Sequence, residues 1–245
     1  MKFHRYLLFC LLSGAAAAQT GDWLAPFEHL HASAKGTPIV HSINLEPAFT
    51  GRDLFVTGRY RHADDVISEE VEMELEWAVT RRLGFILEMP YEVEDERPGP
   101  RDNGMGNLAV VPRVVLIEGE RMILTAQAEV ELPTAKGDHE PGTAVAPGLV
   151  GWFDLGHWWT LSSLIAIEHA FDEDASEAVF GVGLIKSFAK DHDGHHHHAS
   201  ASGLNLHFEL TGSIGLNGEE DGDAALEGLI GMSFGFCEGF DLRLG

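Results

Sequence analysis

Cysteine is nearly absent from this chain: there are two, Cys10 and Cys237. Cys10 falls in a stretch with the features of a cleaved leader, so the mature chain is expected to keep one thiol, which excludes an intramolecular disulfide framework. Basic residues are scarce as well, 16 lysines and arginines against 39 aspartates and glutamates. Without Lys2 and Arg5 the balance is 14 against 39, a formal net charge of −25. Such a chain repels nucleic acid and anionic lipid surfaces, so no nucleic-acid partner is expected. Long hydrophobic runs are missing too. No segment after the leader approaches the roughly 20 consecutive apolar residues of a transmembrane helix, so any membrane span must be made of strands.

The leader is read from its three parts. Met1 to Tyr6 carries Lys2 and Arg5, Leu7 to Leu12 is apolar, and Ala16-Ala17-Ala18 supplies small residues for cleavage before Gln19. Cys10 follows the bulky Phe9, a poor context for a lipid-anchored cysteine. Residues 1–18 are therefore expected to be a secretory signal peptide, residues 19–52 an N-terminal periplasmic arm, and residues 53–245 one β-domain. Ile39 to Phe49 reads as a strand or as part of that arm.

What is present is alternation. In Val71-Glu72-Met73-Glu74-Leu75-Glu76-Trp77-Ala78-Val79 apolar residues alternate with glutamates at first, and a strand sends successive side chains to opposite faces. One face is apolar and the other carries three carboxylates. Similar segments run Leu54 to Arg61, Ile67 to Val79, Phe85 to Glu92, Asn107 to Ile117, Met122 to Leu132, Thr143 to Phe153, Trp159 to Ala170, Val179 to Phe188, Leu204 to Leu216 and Ala225 to Phe236. A further strand begins near Phe240. The 28 glycines and the recurrent turn signals favour an all-β chain.

Connections fall into two alternating kinds. Thr80-Arg81-Arg82-Leu83, Glu118-Gly119-Glu120-Arg121, Asp154-Leu155-Gly156-His157 and Cys237-Glu238-Gly239 are short. Glu92 to Gly104, Pro133 to Gly142, Phe171 to Glu177 and Asn217 to Asp223 are longer and acidic or rich in glycine and proline. Outer-membrane barrels have short periplasmic turns and longer outer loops, so the alternation also orients the chain. Trp77, Phe85, Trp152, Phe153, Trp158, Trp159, Phe188, Phe234 and Phe236 gather near the short connections, as an interfacial aromatic girdle would. The competing reading is the core of a secreted β-sandwich.

Strand parity assigns faces. With Leu54, Val56 and Tyr60 outward, Phe55, Thr57 and Arg59 point inward. The same parity sends inward Glu72, Glu74, Glu76, Glu88, Glu92, Arg113, Glu129, Glu131, Glu168, Glu209 and Glu227, along with Thr125, Gln127, Thr160, Asn205 and His207. Ten carboxylates against two guanidiniums cannot all be paired; in a wet lumen they set up a negative field that favours cations. Two other readings stand beside this one: a packed interior in which several glutamates clasp Arg59 and Arg113, and paired carboxylates acting as acid and base in glycoside hydrolysis.

Asp191-His192-Asp193-Gly194-His195-His196-His197-His198 is the most unusual local composition. Clustered imidazoles and carboxylates, here His192, Asp193, His195, His196, His197 and His198, bind zinc, nickel or copper weakly without a preformed fold. No cofactor is required by any motif, and a weakly held divalent metal is the cofactor expectation. Asn217 to Asp223 is similar to a calcium loop, but Gly228 stands where the closing glutamate belongs. Ser162 or Ser163 with His169 could supply a hydrolase pair, although no spacing fixes nucleophile, base and oxyanion donors together.

Several segments resemble a known family. Thr37-Pro38-Ile39-Val40-His41, Leu45-Glu46-Pro47-Ala48-Phe49 through Asp53-Leu54-Phe55, Glu76-Trp77-Ala78-Val79-Thr80-Arg81-Arg82-Leu83-Gly84, Gly106-Asn107-Leu108 with Pro112-Arg113, and Asp154-Leu155-Gly156-His157-Trp158-Trp159 are similar to outer-membrane proteins of the MetA-pathway of phenol degradation family. The resemblance covers most of the mature chain through turn and strand signatures. It implies a porin-like or transport-related outer-membrane barrel of a Gram-negative cell and carries over no catalytic residue.

The expectation is thus an all-β, transmembrane antiparallel meander β-barrel of about 12 strands when complete, with outer-membrane lipid around it and small solutes or cations inside. Bacterial barrels use an even strand number, and the strand from Phe240 would be the eleventh from Leu54. Either the sequence stops about one hairpin short, or Ile39 to Phe49 completes closure.

Overall fold

A computed structural model describes residues 23–63, 66–96, 101–137, 142–189, 203–218, 221–237 and 240–245. The expected signal peptide and the His-rich stretch from His192 to His198 lie outside these residues. The described chain is all-β. Its strands are β1 Leu54–Ala63, β2 Val66–Ala78, β3 Leu83–Glu96, β4 Arg101–Met105, β5 Leu108–Glu118, β6 Met122–Leu132, β7 Lys136–Gly137, β8 Ala144–Gly156, β9 Trp159–Ala170, β10 Ala175–Ala189, β11 Gly203–Gly215, β12 Ala224–Cys237 and β13 Phe240–Leu244.

Eleven of them follow one another as an antiparallel meander, β1-β2-β3-β5-β6-β8-β9-β10-β11-β12-β13. Every segment expected to be a strand from Leu54 onward is one. The connection expected over Glu92 to Gly104 is partly sheet: β3 runs on to Glu96 opposite Val66, and β4 pairs back on Tyr91 to Asp95. The backbone groups of Val66 to Glu70 are free to continue the ladder there, so the loop residues pair rather than hydrate. The short strands β4 and β7 then pair at the loop end, Gly104 opposite Gly137 and Met105 opposite Lys136.

The sheet curls until its two edges face each other. Among the described residues no ladder joins β1 to β13, yet Arg243 of β13 lies over the Phe55 ring of β1, and Arg61 of β1 reaches Glu227 of β12 at 3.8 Å. Outward positions are apolar in rows that cross the sheet. Val56 faces Met73 and Met73 faces Met89; Leu149, Ile165 and Phe180 form a second row, and Leu184, Phe208 and Ile230 a third. Leu54, Val56, Ile165 and Ile230 are more than half exposed. Contiguous exposed apolar rows of this kind mark an interaction face.

The girdle aromatics divide. Trp77, Phe188 and Phe234 are outward and exposed, whereas Trp152 points inward at 2% exposure. The reason is parity: Trp152 and Phe153 are neighbours in one strand, so both cannot face out. Trp152 joins Val115, Ile123 and Val150 of the wall in an apolar cluster with Ile39, Ala48 and Phe49.

That cluster locates the N-terminal segment. Of the expected arm, residues 37–51 run inside the curl of the sheet rather than standing off from it, whereas Trp23 and Leu24 are exposed. Nor do residues Ile39 to Phe49 form a strand; the only bridge nearby joins Ala32 to Pro38. Pro38 and Pro47 lack an N–H, and the segment's apolar side chains point to several walls at once, so no single ladder can form.

Candidate functional site in the sheet interior

A backbone that crosses the interior of the curled sheet without a ladder needs other partners for its N–H and C=O groups. Wall side chains supply them. The Glu209 carboxylate accepts hydrogen bonds from the N–H groups of Ile43 and Asn44 at 2.7 and 2.8 Å. Thr125 donates to the Ala48 carbonyl, and the Arg243 guanidinium donates to the Ser42 carbonyl at 3.2 Å. Nearer the short turns, Ser33 and Thr37 donate to the two oxygens of Asp154 at 2.7 and 2.8 Å. Shape agrees with this. Leu45 rests against Gly181 and Gly183 of β10, and Ile43 against Gly231 of β12, positions where any Cβ would meet the incoming side chain.

Behind Glu209 stands a buried polar line. Asn205 donates to the Ser233 hydroxyl at 3.0 Å, His207 Nε2 lies 2.9 Å from the same oxygen, and His207 Nδ1 is 3.5 Å from Glu209 Oε1. The order serine, histidine, glutamate is that of a nucleophilic triad. Ser233 is 1% and His207 0% exposed, however, and the Glu209 oxygens are already taken by the inner segment. The line orients Glu209 to hold Ile43 and Asn44. Ser162 and His169, considered from sequence, face opposite sides of β9. Ser163 shares a face with His169 but stands six residues away, about 20 Å along a strand, and His169 bonds Ser176 at 2.9 Å instead.

The acidic wall is assembled largely as parity requires. Arg59 binds Glu70 at 2.5 Å and Glu72 at 3.3 Å. Arg113, 2% exposed, reaches Glu46 of the inner segment at 3.8 Å, while its Nε and Nη2 make no hydrogen bond. The expectation that both guanidiniums are clasped by wall glutamates therefore holds for Arg59 alone. Glu74 stands directly across the ladder from Glu88, and Glu168 from Glu177. Glu88 acts electrostatically on Glu46, Glu129, Glu74 and Glu72, and Glu129 on Glu131 and Glu168, so one field spans β2, β3, β6 and β9. Among the described residues no ion pair reaches Glu74, Glu88, Glu129, Glu131 or Glu168. A cavity of ≈ 100 Å³ lies between this wall and the segment, bounded by Arg59, Glu72, Glu74, Glu88, Glu46 and Arg243.

Glu76 and Glu209 leave that group. Glu209 is a clamp, and Glu76 is 1% exposed beside His41 of the inner segment. Sequence reasoning missed His41, Glu46, Glu70 and Glu177. Glu70 sits on the inward parity of the strand expected over Ile67 to Val79, whereas Glu177 falls in the expected connection Phe171 to Glu177, which the start of β10 at Ala175 converts to strand. His41 and Glu46 were invisible because nothing local shows that a segment between two prolines turns into the interior. Burial shifts both. His41 is held well below the usual histidine range by burial first, then by Arg243, Arg113 and His29, and is a neutral imidazole. Glu46 is raised above 4.5 by burial, against the pull of Arg113 and with a smaller push from Glu72.

At the short-turn end a second cavity of ≈ 380 Å³ separates the first described residues from the wall, lined by Leu30, Ile39, Arg81, Arg82, Glu118 and Trp152 among others. Arg81 forks onto Glu118 there, its Nη2 2.7 Å from Oε1 and its Nε 3.0 Å from Oε2. No protein-family model matches this chain, and no curated protein matches it.

Proposed function

We propose that the chain is an outer-membrane, porin-like or transport-related barrel whose acidic lumen favours cations and passes small solutes. The observation that carries this reading is the set of interior carboxylates without a basic partner, Glu74, Glu88, Glu129, Glu131 and Glu168, within a sheet whose outer face is apolar. Unpaired carboxylates that face an aqueous passage stay solvated and draw cations toward it, while the apolar rows suit lipid. The resemblance to the MetA-pathway of phenol degradation family supports the same placement. In this reading the inner segment narrows the passage at the short-turn end and sets the size of what can cross.

The experiment is conductance in planar bilayers under a salt gradient, with insertion verified independently. A reversal potential of cation-selective sign is expected, moving toward zero when Glu88 and Glu129 are replaced by glutamine. Inserted protein that never conducts removes the channel reading.

One observation favours a second reading, a non-conducting scaffold. Ile39, Ala48 and Phe49 pack with Val115, Ile123, Val150 and Trp152 in one apolar cluster across the interior. Silent bilayers with the fold intact would select this alternative. Its metal-binding form, through the His-rich stretch from His192 to His198, is tested by zinc titration with and without those histidines.

A further inference from the structure

Asp53 and Glu76 face each other before the first hairpin begins. The Asp53 N–H donates to the Glu76 carbonyl at 3.3 Å, and the Glu76 N–H to the Asp53 carbonyl at 2.9 Å. Such a reciprocal pair places both side chains together on one face, and like charges so placed oppose each other. Both oxygens of Glu76, whose side chain is 2% exposed, and Oδ2 of Asp53 are buried without a donor. Arg113 and Arg243 are near enough to act on the adjacent His41, yet neither makes an ion pair with Asp53 or Glu76 among the described residues.

The third group is the imidazole of His41, brought in by the inner segment. Its Nδ1 lies 3.5 Å from Glu76 Oε1 and its Nε2 4.0 Å from Asp53 Oδ2. The ring is held edge-on by Phe49, with centroids 4.7 Å apart, and tilted by Phe55 at 5.0 Å. One ligand atom from each of the three residues lies within 4.8 Å of the other two. A small rotation closes that triangle to the edge of a tetrahedral sphere, about 3.4 Å for metal–ligand bonds of about 2.1 Å. Gly51 clears the space: a Cβ there would run into the Glu76 and Asp53 carboxylates.

We propose that His41, Asp53 and Glu76 form a divalent metal site of the zinc class, which ties the inner segment to β2. Two ionised carboxylates carry the charge that one dication neutralises, so their mutual repulsion is relieved when the metal enters. A nitrogen donor beside two oxygens suits zinc and its first-row neighbours better than magnesium or calcium, which take oxygen alone. The aromatic rings against His41 fix the imidazole plane. The site does not depend on whether the barrel conducts.

The test uses the full chain in detergent micelles, with His192 and His195 to His198 replaced by serine so that the His-rich stretch contributes nothing. Calorimetric titration with zinc chloride is expected to show one zinc per chain. Affinity should fall at least about tenfold in His41→Ala, Glu76→Gln and Asp53→Asn. Cobalt(II) should give visible bands of a low-coordinate nitrogen and oxygen site that vanish in His41→Ala. Folding is followed by the gel shift between heated and unheated samples. If Glu76→Gln does not fold, Asp53→Asn decides, because Asp53 is partly exposed and lies before β1. Absence of zinc binding in the tract-free protein overturns the proposal, as does an isotherm that neither His41→Ala nor Asp53→Asn alters.

Discussion

The guanidinium of Arg243, on the last strand, lies over the ring of Phe55, on the first, with its Cζ 4.3 Å from the ring centroid. Among the described residues the two edges of the curled sheet thus meet through side chains and not through a ladder. Arg243 is only 19% exposed and also holds the Ser42 carbonyl, so one side chain joins both edges to the inner segment. Cation–π contacts of this kind contribute about 0.5–2 kcal/mol. Phe55→Leu keeps the apolar bulk and loses the interaction, and equilibrium urea unfolding of the micelle-bound protein should show a loss in that range.

Glu209 is expected to govern how firmly the inner segment is held. Glu209→Gln leaves one acceptor oxygen for two N–H donors and removes the charge. Hydrogen bonds to charged groups contribute about 1.5–3 kcal/mol each, so exchange at the Ile43 and Asn44 amides should accelerate by roughly tenfold or more. Amide exchange followed by mass spectrometry checks this, with strand amides of β5 and β6 as the unmoved reference.

Gly181 is expected to tolerate nothing larger. Leu45 occupies the space its Cβ would need, and Thr211 stands behind at 3.4 Å. Overpacking of this kind costs about 1–3 kcal/mol. Gly181→Val should displace Leu45, lower the urea midpoint and expose residues 41–50 to protease. Replacing Leu45 by alanine in the same chain should restore part of the loss, because the clash is with that side chain.

Acidity should tighten the inner segment through Glu46. Its carboxyl is raised above 4.5 in the folded state, so folding favours the protonated form. The stabilisation is complete below the unfolded value and is lost as pH rises through the raised one. Arg113 on β5 opposes this shift, while Glu72 and Glu74 on β2, Glu88 on β3 and Glu129 on β6 reinforce the negative field. Protease accessibility of residues 41–50, measured upward from pH 4.5, should increase in the wild type. The difference between wild type and Glu46→Gln isolates this group, and identical profiles would show that Glu46 does not contribute.

Strands were legible because their signal is local. The alternation in Val71 to Val79 or Met122 to Leu132 depends only on neighbouring residues, and parity carried Glu72, Glu88, Glu129 and Glu168 to the inner face without any knowledge of the fold. Trp152 shows the limit of composition: its position near a short turn suggested a girdle, whereas strict parity with Val150 and Asp154 puts it inside. The inner segment was not legible at all. His41 meets Glu76, Glu46 meets Arg113, and Ile43 meets the clamp at Glu209 across 166 residues. No periodicity reports on a contact of that separation.

The sequence alone determined an all-β antiparallel meander with apolar and acidic faces, because alternation of side chains along a strand is a property of the strand itself. The tertiary structure decided what the acidic face meets. Curling brings Arg243 to Phe55 and surrounds residues 37–51, and burial obliges their backbone and apolar side chains to find partners on the wall. Glutamates of identical local pattern then diverge: Glu209 becomes a clamp, Glu76 a buried neighbour of His41 and Asp53, and Glu88 a member of the open acidic field. Their burial and their partners differ, and both are set only when distant strands close around one segment.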